Sequence, residues 1–384
     1  MFCIKNATIH DGLEHVFQGD ILIDGNTISK VAPTIDFDGE TYDASGQHVF
    51  PGFIDPMSNW GILGPGREIR GNAEDNDEHT NVVTPEMNVV YAFNGRGITR
   101  QQLGAFGITS VGVAPSSTNL FGGMMGVFDV DGINPFAMCI KEKAGLKACV
   151  SDSVIKYYGA KNIIPSTHMG IFSLLEQNLK EASEYDVEKE GRNPKKAAIK
   201  EMLDKKMPLF VCAQTSMEVN GVLHALKDYD VDLVLCSGYG IKDSEQEILN
   251  RNISIIVNND DSGFDPHADE LDRSFLYDLY KKGVIVALAS NCSGAMISRE
   301  DVLWNGISMY KVCHDEEAVI KMMTSNTAKV LGVDDKLGTI EAGKRADLTI
   351  YSDHPIKTYA AVLQLTLSNG KVIYRKGDEM KCFI

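Results

Sequence analysis

The sequence predicts an α/β protein, a parallel (β/α)8 barrel with a small β-rich region built from both chain ends. Two observations carry that reading. Short continuous apolar strands alternate with helical stretches through the middle of the chain, and both ends instead carry short strands split by turn dipeptides. An open doubly wound sheet is the alternative for the middle. The length of 384 residues and 43% hydrophobic content provide a sizeable core without disulfides.

The first strand is read at Phe2–Ile9, closed by Asp11-Gly12. Asp20–Asp24 and Thr27–Val31 flank Gly25-Asn26, which is hairpin punctuation. At the other end Ala346–Tyr351 and Val362–Leu367 are strand-like, and Asn369-Gly370 turns the chain into Val372–Tyr374. Between them Thr109–Val113, Leu209–Ala213, Leu233–Cys236, Ile253–Val257 and Val284–Ala289 read as buried strands. Gly170–Tyr185 and Met217–Asp228 read as helices, and Glu184–Lys206 as a solvated helix or loop. Over roughly 280 residues this alternation suits a closed barrel.

Lys and Arg number 37 against 53 Asp and Glu, a net charge of −16. That balance argues against nucleic acid and anionic membranes as partners. The N-terminus lacks a basic segment followed by an apolar run, and no apolar run reaches membrane-spanning length. Eight cysteines, none in a CxxC pair, suit reduced thiols in the cytoplasm.

Chemistry is expected at the junction Pro51-Gly52-Phe53-Ile54-Asp55-Pro56. This segment, with Thr324–Gly332 and Leu337–Leu348 in the right order, resembles the amidohydrolase superfamily in its imidazolonepropionase-like branch. Asn119–Gly126 and Tyr158–Gly170 also look like family segments. The resemblance implies a (β/α)8 barrel over 52–337 and a β-sandwich from 1–51 plus 338–384. It also implies hydrolysis of C–N bonds, often in cyclic amides, with one or two divalent metals such as zinc. Their His and carboxylate ligands would lie at the C-terminal ends of barrel strands.

The slots that the resemblance assigns to ligands hold other residues. The first-strand His-x-His positions are Met57 and Asn59. The fourth-strand carboxylate falls at Asp152, and the fifth-strand His-Ala-His reads Cys212-Ala213-Gln214. The sixth-strand His-Gly reads Ser237-Gly238, and the eighth-strand aspartate falls at Asn291. Thioether and amide groups are poor zinc ligands, and an amide is no general base. None of the nine histidines lies within three residues of these slots.

The expectation is therefore a homologue with no metal and no cofactor, impaired in catalysis. Met57, Asn59, Asp152, Cys212, Gln214, Ser237 and Asn291 would line a small-molecule pocket in the barrel mouth. The alternative is a divergent hydrolase with a rebuilt Cys/Asp or metal-free site, for which Asp152, Cys212 and Asn291 are the catalytic candidates. A thiolate both binds zinc and attacks carbonyls. On this reading Cys236 and Cys292 adjoin inward positions and tend to point outward. His168 and His267 are candidate bases, each expected instead on a loop or the surface. A structural role in an oligomer is the third reading, and a homo-oligomer is expected in any case. Asn258–Gly263 reads as a polar loop rather than a calcium site, and Phe121–Met124 as either a tight turn or a ligand approach.

Overall fold

The computed structural model describes residues 1–62, 75–96, 102–258, 271–290 and 300–377, the Ser237 side chain excepted. Its strands are β1 (Phe2–His10), β2 (Val16–Asp24), β3 (Thr27–Ala32), β4 (Glu40–Asp43), β5 (His48–Pro51), β6 (Phe53–Ser58), β7 (Ile108–Val113), β8 (Phe121–Asp129), β9 (Cys139–Cys149), β10 (Leu209–Cys212), β11 (Leu233–Ser237), β12 (Ser254–Val257), β13 (Val286–Leu288), β14 (Leu348–Tyr351), β15 (Leu363–Ser368) and β16 (Lys371–Arg375).

Both ends of the chain do build one β structure. The order β16-β15-β14-β5-β1-β2-β3, with β4 also on β1, forms a continuous eight-stranded sheet. The expected sandwich is thus seen as one hydrogen-bonded sheet rather than two separately bonded layers. Its own apolar cluster includes Ile4, Ile9, Ile21, Val49, Leu348 and Leu365.

A second eight-stranded sheet runs β13-β12-β11-β10-β9-β8-β7-β6. Pairing is parallel from β9 to β13 and between β6 and β7. The all-parallel expectation is corrected at the third strand, because β8 is antiparallel to both β7 and β9. The short link between β8 and β9 holds only one four-residue helix, Pro135–Met138, before the chain reverses. A parallel crossover needs a dozen or more residues. Burial of every residue in β6, β7, β10 and β13 follows from packing on both faces.

The sheet is nearly closed, and β6 and β13 contact without pairing in a ladder. Asp55 bridges the gap. Its Oδ1 accepts the Ser290 N–H just beyond β13 at 3.1 Å and the Met57 N–H at 3.4 Å, and its Oδ2 accepts Trp60 Nε1 at 3.2 Å. Complete burial raises the Asp55 carboxyl to about 6 despite these donors. From the outside, helix Ser325–Leu331 contacts both strands, and Asn326 Nδ2 donates to Val286 O at 2.9 Å. Gly52, in the junction motif, is required by close approach, since a Cβ there would lie 2.2 Å from Thr109 Oγ1.

The terminal sheet is tied to the barrel helices by a buried polar group. His10 Nδ1 donates to Glu317 Oε1 at 2.6 Å, and His10 Nε2 lies 2.8 Å from His48 Nδ1. His354 Nε2 is 3.6 Å from the same Glu317 oxygen. Burial pushes the Glu317 carboxyl up, but the His10 and His354 contacts outweigh it and hold it at about 2.

Two outcomes follow. Asp55→Ala strips three buried donors of their acceptor and should lower unfolding free energy by about 2–4 kcal/mol in urea titration. Glu317 is depressed on folding, so its stabilisation is present above about 4.5 and is lost as pH falls toward about 2. Across that window the thermal midpoint of the wild type should fall more steeply than that of Glu317→Gln.

Candidate active site at the barrel mouth

Strands β9 and β10 run parallel and end together, with Cys149 in register with Cys212. The segments that follow supply the site. Helix Asp152–Gly159 starts after β9, with Asp152 in its first turn. Helix His168–Ser183 is N-capped by Thr167, whose side chain accepts from Gly170 N. Helix Ser216–Ala225 starts after β10 with a full capping box, Thr215 and Glu218 each accepting from the other's main chain.

That capping box fixes Glu218. Its Oε2 accepts the Gln214 N–H at 2.7 Å and the Thr215 N–H at 3.2 Å. Its other oxygen, Oε1, is left facing His168 Nε2 at 3.0 Å. Asp152 Oδ1 stands 3.6 Å from the same nitrogen. The three side chains can place their donor atoms within 4.8 Å of one another. Glu218 is 2% exposed, whereas Asp152 and His168 are partly open to solvent.

Two carboxylates and one imidazole nitrogen form a donor set suited to a divalent cation with positions left open. Glu218 is oriented by two main-chain donors before any cation arrives, as ligating carboxylates usually are. The residues therefore fit a hydrolytic metal. A second group of the same kind, His10, Glu317 and His354, lies at the seam between the terminal sheet and the barrel.

The candidates from the sequence separate in space. Asp152 joins His168 and Glu218. His168 is thus a member of the site rather than a loop or surface histidine, and Glu218 is an acid that sequence reading passed over. The signal for it was Thr215-x-x-Glu218 opening a helix directly after a strand. Cys212 belongs to a different group in the barrel interior, so Asp152 and Cys212 form no joint metal site among the described residues. Cys236 is in register with Cys212 and so lies on the same side of the sheet, which corrects its expected outward direction.

Met57 is fully buried in the barrel core. Asn59 is 1% exposed and donates from Nδ2 to Ala114 O at 2.8 Å, while its Oδ1 has no hydrogen-bond partner among the described residues. Gln214 is half-buried and enters the site through its main-chain N–H. Ser237 ends β11, and its side chain lies outside the described residues, as do Asn291, His267, Cys292 and nearly all of the Asn258–Gly263 loop.

A cleft of about 640 Å3 opens at the opposite end of the barrel, where Pro208, Leu233, Ser254 and Ile285 begin or precede their strands. The C-terminal strand ends are where barrel chemistry resides, so this cleft is not the site. On the mouth side Ser216, Gly238, Lys242 and Asp272 line a smaller one of about 210 Å3. Among the described residues no helix is long and apolar enough to cross a membrane.

Comparison with known proteins agrees with this geometry. Residues 218–374 match the model of the amidohydrolase family. An imidazolonepropionase of Thermoplasma acidophilum is 28% identical over 102 residues, a match covering 25% of each protein. An amidohydrolase structure from Thermotoga maritima superposes with a TM-score of 0.89 at 27% identity, over 98% of this chain and 100% of that one. A D-hydantoinase from a Thermus species shares the fold, with a TM-score of 0.60 at 13% identity over 98% and 96% of the two chains.

The expectation of no metal and no cofactor is overturned by the likeness to a metal-using family together with the two His/carboxylate groups. The sequence motifs at residues 51–56, 324–332 and 337–348, the nearly closed barrel and the matching neighbours all support the amidohydrolase superfamily.

Proposed function

We propose that the chain hydrolyses C–N bonds of small amides, cyclic amides among them, with a divalent cation held by Asp152, His168 and Glu218. The observation that carries the reading is the convergence of these three donors at the ends of β9 and β10. When bound, the cation supplies Lewis acidity and a water of lowered pKa. The protein's part is to hold the donors. Glu218 is pinned by its two main-chain hydrogen bonds, and His168 presents Nε2 between the two carboxylates. Met57 and Asn59, at the family's first-strand ligand positions, serve packing and a main-chain hydrogen bond instead.

That last observation favours a second reading, a weakened catalyst that binds a small molecule in the mouth. The two readings differ in turnover. Elemental analysis of the protein expressed with zinc, manganese or iron, combined with a panel of cyclic amides, tests both. We expect bound metal and turnover in the wild type, and loss of the mouth-bound equivalent in His168→Ala. Glu218→Gln should weaken metal affinity by roughly 10- to 100-fold. Metal content unchanged in His168→Ala and Asp152→Ala contradicts the assignment. Metal bound with no turnover selects the second reading.

A further inference from the structure

A second set of reactive groups lies in the barrel interior, just inside the mouth. Cys149, Cys212 and Cys236 stand side by side across β9, β10 and β11. Residues in register on neighbouring parallel strands point to the same side. Lys147, two residues before Cys149 on β9, shares that side and is 1% exposed. Its Nζ donates to Ser117 Oγ at 3.1 Å, which brings the loop after β7 into the group.

Cys212 is the focus of this arrangement. The Cys236 thiol, the Ser117 hydroxyl and the Lys147 charge all favour its ionised form. The Cys236 bond, and with it the Lys147 charge and the Ser117 bond, outweigh burial and lower the Cys212 thiol to about 5. Cys149 differs, since burial pushes its thiol up to about 11. Its Sγ lies 3.1 Å from Ser151 Oγ, which lies 2.8 Å from Ser153 Oγ. Of three cysteines in register, Cys212 is the one whose ionised form its surroundings favour, with the buried Lys147 on the same side of the sheet. A buried charge needs such a partner.

We propose that Cys212 is a nucleophile that takes acyl groups from small esters or amides entering the mouth, with Lys147 as its proton partner. The Cys212 thiolate adds to the carbonyl carbon, and the bond to the leaving oxygen or nitrogen breaks as Lys147 Nζ gives that atom a proton. Water then attacks the thioester and passes its proton to neutral Lys147. The thiolate leaves, and the products are a carboxylic acid and an alcohol or amine. The step uses no cation, so it stands or falls apart from the Asp152 group.

The test uses p-nitrophenyl acetate as the acyl donor and iodoacetamide as a thiol probe, both on the folded full-length protein. Peptide mapping by mass spectrometry should find one acetyl group on Cys212 after rapid quenching, and none on Cys149. Cys212→Ser should abolish that adduct. Iodoacetamide should label Cys212 at about pH 6, and Lys147→Met should slow that labelling roughly tenfold, consistent with a pKa raised by a unit or more. Lys147→Arg retains the charge and should keep the labelling. The proposal is overturned if folded wild type shows no acetyl-Cys212, if acetylation persists on the same peptide in Cys212→Ser, or if labelling at pH 6 is the same in Lys147→Met.

Discussion

A barrel whose first and last strands do not pair needs another tie, and Asp55 is that tie. Its two oxygens collect N–H groups from β6, from Trp60 and from Ser290 beyond β13. The tie is costly in isolation, because full burial disfavours the charged carboxylate. It persists because each of the three donors would otherwise be buried without an acceptor. Helix Ser325–Leu331 packs across the same gap from outside, so the closure is held on both sides.

With the barrel nearly closed, the mouth is defined, and the ends of β9 and β10 become neighbours in a fixed register. Two groups of side chains follow from that register. Outward from the strand ends, the helix starts carry Asp152, His168 and Glu218, and a capping box aims one carboxylate oxygen at the imidazole. Inward, Lys147 and Cys212 share the barrel interior. On the first barrel strand, Met57 lies in the core and Asn59, just beyond it, bonds to the main chain of Ala114. The donors that could hold a cation at the mouth lie on the segments that follow β9 and β10.

Much of the fold was legible in sequence because each buried strand is a continuous apolar run and each terminal turn carries its own glycine. The strands β7 and β10 to β13 stand where the apolar runs place them. The third and fourth strands were not legible. β8 is FGGMMGVFD, rich in glycine, and β9 opens with charged residues on its exposed half and carries Lys147 in its buried half. The antiparallel turn between them has no periodic signature. At the candidate site, the sequence points to Asp152 by its spacing from Tyr158-Gly159 and to His168 as a possible base, but not to Glu218 or to the grouping of the three. His168 and Glu218 are far apart in sequence, and only the stacking of two helix starts brings them to 3.0 Å. Absence of histidine from expected slots spoke to those slots alone, and gave no view of a donor set assembled one shell outward.

The central claim is that the cation site lies at Asp152, His168 and Glu218. Crystals grown with zinc, measured on both sides of the zinc absorption edge, test it most directly. The account predicts an anomalous peak within ligand distance, about 2.0–2.2 Å, of Asp152, His168 and Glu218 donor atoms. A peak at Met57 and Asn59, or none at the mouth with zinc present in the crystal, would contradict it.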